Sequence, residues 1–318
     1  MTITNNRREQ MLRVARLYYI DGIEQNQIAK KEMVSRATVS RLLATARDRG
    51  FVTIKVNDDL RDAQVLGDQL EKIYPKVTFT VASTSQDDTR VKQNKVASLA
   101  AKYLDTIVKS GDIIGVGSGE EVFQVSQLLE TKSVQDVTVT ALTGIFDSEN
   151  YPTHQNDIMS LFVKKYHATE RARPLPIIFN DSTTKKMVEK EKHIKYLEKL
   201  SRLSNIVLFT VNDLEHSSLL DNQNYLSDRE KADIISTASG EILAHFIDLD
   251  GKPVNQNLDL RTVSLPLNNL HFKDSGIIVV SDMSKYKMLH LAITKGFVSD
   301  VFVDQQTAQR LFDYDTNQ

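Results

Sequence analysis

The chain has 318 residues, 41% of them apolar, and its 40 basic and 42 acidic residues leave a formal charge of −2. That length accommodates one small and one large domain with a sizeable core. The absence of cysteine excludes disulfides, Cys-ligated zinc and a thiol nucleophile, and no run approaches the ~20 apolar residues of a membrane span.

The opening residues are polar, without a signal-peptide core, so a cytoplasmic protein off the membrane is expected. Arg7 to Tyr19 reads as an amphipathic helix, with Met11, Val14, Ala15, Leu17 and Tyr18 on its apolar side. Gln25 to Glu32 fits a short second helix with Ile28 and Ala29 inward. Met33-Val34-Ser35 is a turn whose plug is Val34, and Ser35 is a good N-cap for a third helix. Val39, Leu42 and Leu43 then recur at helical spacing, leaving Arg36, Thr38, Ser40 and Arg41 outside. This is the pattern of a helix-turn-helix, whose second helix enters a major groove. Gln25, Gln27, Ser35, Arg36, Thr38, Ser40 and Arg41 are the expected DNA contacts. Met33 stands where the backbone is often left-handed, and Glu32 where a leucine is usual; Met33 is expected to swing in and cover the gap. Charge supports the reading: residues 1–56 carry eleven basic and five acidic side chains, the rest 29 and 37. A basic module on an acidic body suits phosphate contact by the module alone.

Phe51 to Val56 alternates like a strand, as in the wing of a winged helix, with Thr53 and Lys55 available to phosphates or simply solvated. Asn57-Asp58-Asp59 is the expected linker, so the domains are residues 1–56 and 57–318. Beyond the helix Leu60–Tyr74, short β-rich runs alternate with helical ones. Strands are expected at Val77–Val81, Ile113–Val116, Val137–Leu142, Ile177–Phe179, Ile206–Val211, Ile277–Val280 and Val301–Val303. Helices are expected at Gln93–Val108, Glu120–Glu130, Ile158–Tyr166, Thr183–Leu200, Lys285–Thr294 and Thr307–Phe312. The class is α/β, a doubly wound parallel sheet.

In such sheets ligands sit at the carboxyl ends of the strands. Gly117-Ser118-Gly119 links a strand to a helix, and bare amides at a helix start can hold an anion, although Glu120 and Glu121 would repel a phosphate. Thr143-Gly144, Asn212-Asp213 and Ser281 follow other strands and could ring the same pocket. Lys285 is the expected anion contact. No metal, cofactor or catalytic residue is expected: the seven histidines lack ligand spacing, and no nucleophile elbow, Walker sequence or paired-carboxylate motif appears.

Ala15-Arg-Leu-Tyr-Tyr19, Ser35-Arg-Ala-Thr-Val-Ser-Arg-Leu-Leu43, Gly111-Asp-Ile-Ile-Gly-Val-Gly117 and Asn205-Ile-Val-Leu-Phe-Thr-Val211 carry a resemblance. The chain resembles the SorC family of bacterial sugar-responsive transcription regulators, and within it the deoxyribonucleoside regulators. The resemblance implies a tetrameric regulator, a homotetramer where the sequence by itself leaves dimer or tetramer open, with an effector domain akin to sugar-phosphate isomerases and a phosphorylated sugar as effector. The phosphate loop would be Gly117 to Glu121, with Glu121 where the family usually has threonine. Ser281-Asp282 replaces its Gly-Gly, Lys285 keeps its lysine, and Thr237-Ala-Ser-Gly240-Glu241 stands for its Gly-Ala-Val-Gly-Asp loop. Thr143 sits where some relatives have lysine, so no imine with an aldehyde sugar is expected there. The expected function is that of a DNA-binding regulator, a repressor, controlled by a sugar or sugar phosphate such as deoxyribose 5-phosphate. The alternatives are an isomerase-like enzyme fused to a DNA-binding module, with Asp213 or Asp282 as base, and a regulator that has lost its ligand.

Overall fold

The computed structural model describes residues 5–52, 59–83, 88–146, 153–222 and 225–316. The chain forms two compact units, Met1–Asp58 and Asp59–Gln318.

The first unit contains α1 (Asn5–Tyr19), α2 (Gln25–Lys31) and α3 (Arg36–Asp48). Met11 and Val14 of α1, Ile28 of α2, and Val39, Leu43 and Ala46 of α3 share one buried core. Ser35 caps α3 by accepting from the Thr38 amide at 3.1 Å. Met33 has φ 52°, the left-handed turn expected. Its side chain, however, is 93% exposed and does not cover the core. Glu32 instead turns to α1 and pairs with Arg13 at 3.1 Å, which holds its carboxyl below the usual range. Val34 is half-buried against the core. Phe51 and Val52 fold back so that both amides donate to the Ala46 carbonyl. The remainder of the expected wing, Thr53 to Val56 with Lys55, and Asn57-Asp58 of the linker lie outside the described residues.

The second unit runs α4 (Asp59–Ile73), β1 (Thr78–Ala82), α5 (Thr89–Ile107), β2 (Ile113–Val116), α6 (Glu120–Leu128), β3 (Thr138–Ala141), α7 (Gln155–Tyr166) and β4 (Thr169–Arg171). It continues with α8 (Ser182–Val188), α9 (Lys192–Leu203), β5 (Ile206–Phe209), β6 (Val211–Asn212), α10 (Ser218–Asp221) and α11 (Asp228–Thr237). It ends with β7 (Gly240–Ile242), β8 (His245–Ile247), α12 (Gln256–Arg261), β9 (Ser275–Val280), α13 (Tyr286–Thr294), β10 (Asp300–Asp304) and α14 (Gln305–Thr316). Seven strands form a sheet in the order β1-β10-β9-β5-β2-β3-β4, every pairing parallel.

Period-two alternation explains the layers. Ile206, Leu208, Ile277 and Val279 face the core under α5, α6 and α7. Val207, Phe209, Ile278 and Val280 face the opposite core, with α4, α13 and α14. The chain leaves β2 through α6 to β3 on one side and passes from β5 towards β9 on the other. The carboxyl ends of β2 and β5, which are hydrogen-bonded neighbours, therefore mark the switch point of the sheet.

Several elements differ from expectation. The edge strand is the polar Thr169–Arg171, while Ile177–Phe179 makes only isolated bridges, such as Ile178 with Thr262. Thr183–Leu200 breaks in two, α9 starting after extended Glu191. Ile206–Val211 divides at Thr210, where β6 leaves to pair with β7 in a small antiparallel sheet. The short helices α10, α11 and α12 begin at the side-chain caps Ser217, Ser227 and Asn255. Their apolar repeats are too short to register in a periodicity reading.

Candidate functional site

A cleft opens at the switch point and holds about 460 Å³ of non-atom space, open solvent included. Ser118 and Gly119 after β2, Thr143 after β3, and Thr210 and Asn212 after β5 line it. Phe146, Thr153, Ile177 and Ser218 add to the walls. The remaining wall comes from the β7–β8 hairpin: Glu241, Leu243 and Ala244. Leu243 and Ala244 form its two-residue turn with φ 48° and 65°, a conformation usually given to Asn-Gly. Each such non-glycine residue costs about 1–2 kcal/mol. Burial offsets that cost, Leu243 in the large core and Ala244 in the satellite core beside Phe246.

Of the expected effector residues, Ser118, Gly119, Thr143 and Asn212 are brought together in the cleft. The other six are not among its lining residues. Gly117 is a packing glycine: a β-carbon there would sit 3.1 Å from the Phe209 β-carbon. Gly144 is another, since a β-carbon would lie 2.8 Å from the Ile177 α-carbon and the Leu175 carbonyl oxygen. Asp213 is held by the His216 amide at 2.9 Å and faces the His216 ring at 2.7 Å. Burial raises its carboxyl, but hydrogen bonds from Ser284 and His216 outweigh this and keep it below the usual range. Ser281 is buried and its hydroxyl has no partner among the described residues.

Glu121 and Lys285 correct the charge reading. Both are buried, and they form an ion pair with each other. Lys285 therefore does not stand as an open anion contact. Its partner lies 164 positions away in sequence, so the pairing is purely tertiary. Glu120 points to solvent and is held by Gln124 at 2.8 Å and His154 at 3.2 Å. The glycine loop is also less bare than expected. The Gly117 amide donates to the Leu208 carbonyl at 2.8 Å and that of Gly119 to Thr153 at 2.9 Å.

Glu241 is the most telling residue missing from the expected set. Its buried carboxylate accepts from the Ser217 hydroxyl at 2.6 Å. Burial pushes the carboxyl up, and the bonds from Ser217 and the Ala244 amide offset this only in part. The signal was its place in the Thr237–Glu241 loop. Thr143 is buried, and its hydroxyl has no partner among the described residues. An unmet buried hydroxyl in a cleft wall costs about 1–3 kcal/mol, which a ligand can recover.

On the first unit, Arg36, Ser40 and Arg41 are exposed along α3, and Gln27 is exposed on α2. Gln25 and Thr38 are half-buried, and Ser35 shares a 2.9 Å hydrogen bond with Thr38. Ser35 and Thr38 thus serve the cap, while Arg36 and Ser40, four residues apart, lie on one helix face.

Comparison with known proteins places this geometry in a family. The Sugar-bind family model, describing a sugar-binding domain, matches residues 58–313. The chain is 33% identical over 308 residues to the deoxyribonucleoside regulator of Bacillus subtilis (strain 168), covering 96% of this chain and 98% of that one. A domain structure from Arthrobacter aurescens TC1, described as that of a possible sugar-binding transcriptional regulator, superposes with a TM-score of 0.71 at 26% identity, over 78% of this chain and 97% of that one. The full-length sorbitol operon regulator SorC from Klebsiella pneumoniae shares the fold, with a TM-score of 0.71 at 21% identity over 98% of this chain and 99% of that one. The chain belongs to the Sugar-bind family, that of the SorC-type sugar-binding transcriptional regulators.

Proposed function

We propose that the protein is a transcription repressor that binds operator DNA through α3 and is controlled by a sugar-class ligand in the switch-point cleft. The observation that carries the reading is the cleft itself. Hydroxyl and amide side chains from the ends of three neighbouring strands converge there, among them the Thr143 hydroxyl, which has no partner among the described residues. The helix pair α2–α3 and its exposed Arg36, Ser40 and Arg41 supply the DNA-binding face. Relatives named for deoxyribonucleoside and sorbitol regulation support both halves.

An isomerase-like enzyme is less well supported. Asp213 is engaged by His216, and Asp282 caps the short turn Met283–Lys285 through the Ser284 amide at 2.8 Å. The protein works as a homo-oligomer on two-fold operators with half-sites in register with the DNA helix. In anisotropy titrations on upstream and random DNA, Arg36→Ala is expected to lose about 1–3 kcal/mol of specific binding. An unchanged ratio of operator to random-DNA affinity would refute the base-reading role.

A further inference from the structure

We infer that the cleft takes an uncharged polyhydroxy ligand, a free sugar or sugar alcohol, and discriminates against its phosphate ester. The inference rests on the regulator reading above and specifies the ligand class of the same site. Three independent features carry it.

The first is the lining. Its polar side chains, among the described residues, are Ser118, Thr143, Thr153, Thr210, Asn212, Ser218 and the carboxylate of Glu241, with no Lys, Arg or His. The second is Lys285. It is buried and already neutralised by Glu121. The third is the glycine loop, where the Gly117 and Gly119 amides are spent on Leu208 and Thr153.

Among the described lining residues, a phosphate group placed here would meet the Glu241 carboxylate and no cationic side chain. Like charges close together in a poorly hydrated wall oppose binding. A hydroxyl suffers no such penalty. It can donate to the Glu241 carboxylate, accept from the Thr143 hydroxyl, and exchange hydrogen bonds with Ser118 and Asn212. The C–H edges of a polyol can pack on Phe146, Ile177 and Leu243. The same carboxylate would interact with an ester group only at the cost of repulsion.

The test uses the full chain and three matched pairs: sorbitol and sorbitol 6-phosphate, erythritol and erythritol 4-phosphate, 2-deoxyribose and 2-deoxyribose 5-phosphate. Calorimetric titration and thermal shift give the affinities. At least one neutral member should bind about ten-fold or more tighter than its ester. In Glu121→Gln, which removes the paired carboxylate of Lys285, and in Glu241→Gln, which removes the cleft carboxylate, the ester should gain about ten-fold on its parent. Circular dichroism checks that each variant is folded, and either variant suffices. Tighter binding of an ester to the unaltered protein overturns the inference. So does the absence of binding by every compound to the protein and both variants. Operator binding is measured in parallel. If it persists while the pairs fail, only the ligand class falls; if it is absent, the regulator reading falls.

Discussion

Lys285→Met removes the cation from a buried cluster that then holds Glu121 and Glu241 without it. Both side chains of the Lys285–Glu121 pair are under a tenth exposed, at 7% and 9%. Breaking such a pair by deleting one partner costs about 3–5 kcal/mol, because the remaining charge stays desolvated and unpaired. Glu121→Leu is expected to cost less, since Lys285 retains attraction to Glu241. The double variant, Glu121→Leu with Lys285→Met, replaces an ion pair by apolar groups of similar volume. It should return to within about 1–2 kcal/mol of the original protein. The assay is urea unfolding of the three variants by circular dichroism, with the pairwise term read from the cycle. If the two single losses simply add in the double variant, Glu121 and Lys285 are not coupled, and the account of the charge at this edge fails.

Met33→Gly should stabilise the first unit. It removes about 1–2 kcal/mol of left-handed strain against about 0.5–1 kcal/mol of glycine entropy, and the exposed side chain loses no packing. Amide exchange of α2 and α3 in the full chain should slow, and faster exchange would contradict it. Gly144→Ala should cost about 1–3 kcal/mol, because its β-carbon meets backbone that cannot swing aside. An unchanged urea midpoint would refute that reading. Burial, with Arg202 adding to it, pushes the Lys273 ammonium down from 10.5 to about 8. A lowered amine contributes stability that is present above pH 10.5 and lost as pH falls through about 8. The stability difference between the protein and Lys273→Met should therefore rise from pH 8 to pH 10. A flat difference would contradict the shift.

The helix pair was legible because its signals are local: the Ser35 cap, apolar spacing across α3, and an excess of basic residues in one short segment. The central strands were legible because alternation feeds two cores, as Ile277 to Val280 do. The polar edge strand Thr169–Arg171 offered no such signal. Within the cleft, the loops after β2, β3 and β5 could be named from their position, but roles within them could not. Gly117 and Gly144 are explained by what they pack against, and Lys285 by a partner on a distant helix. The hairpin wall was hidden because Leu-Ala in a tight turn contradicts local turn preference, and only tertiary burial sustains it.

The most direct test of the account is linkage between ligand and DNA. Fluorescence anisotropy of the full chain on its own upstream DNA, at fixed salt, is measured with and without each neutral sugar and sugar alcohol. The account predicts preferential binding over random DNA and a change in Kd of about five-fold or more with at least one of them. No preference for the upstream DNA at low salt, or a Kd unmoved by every compound, would contradict it.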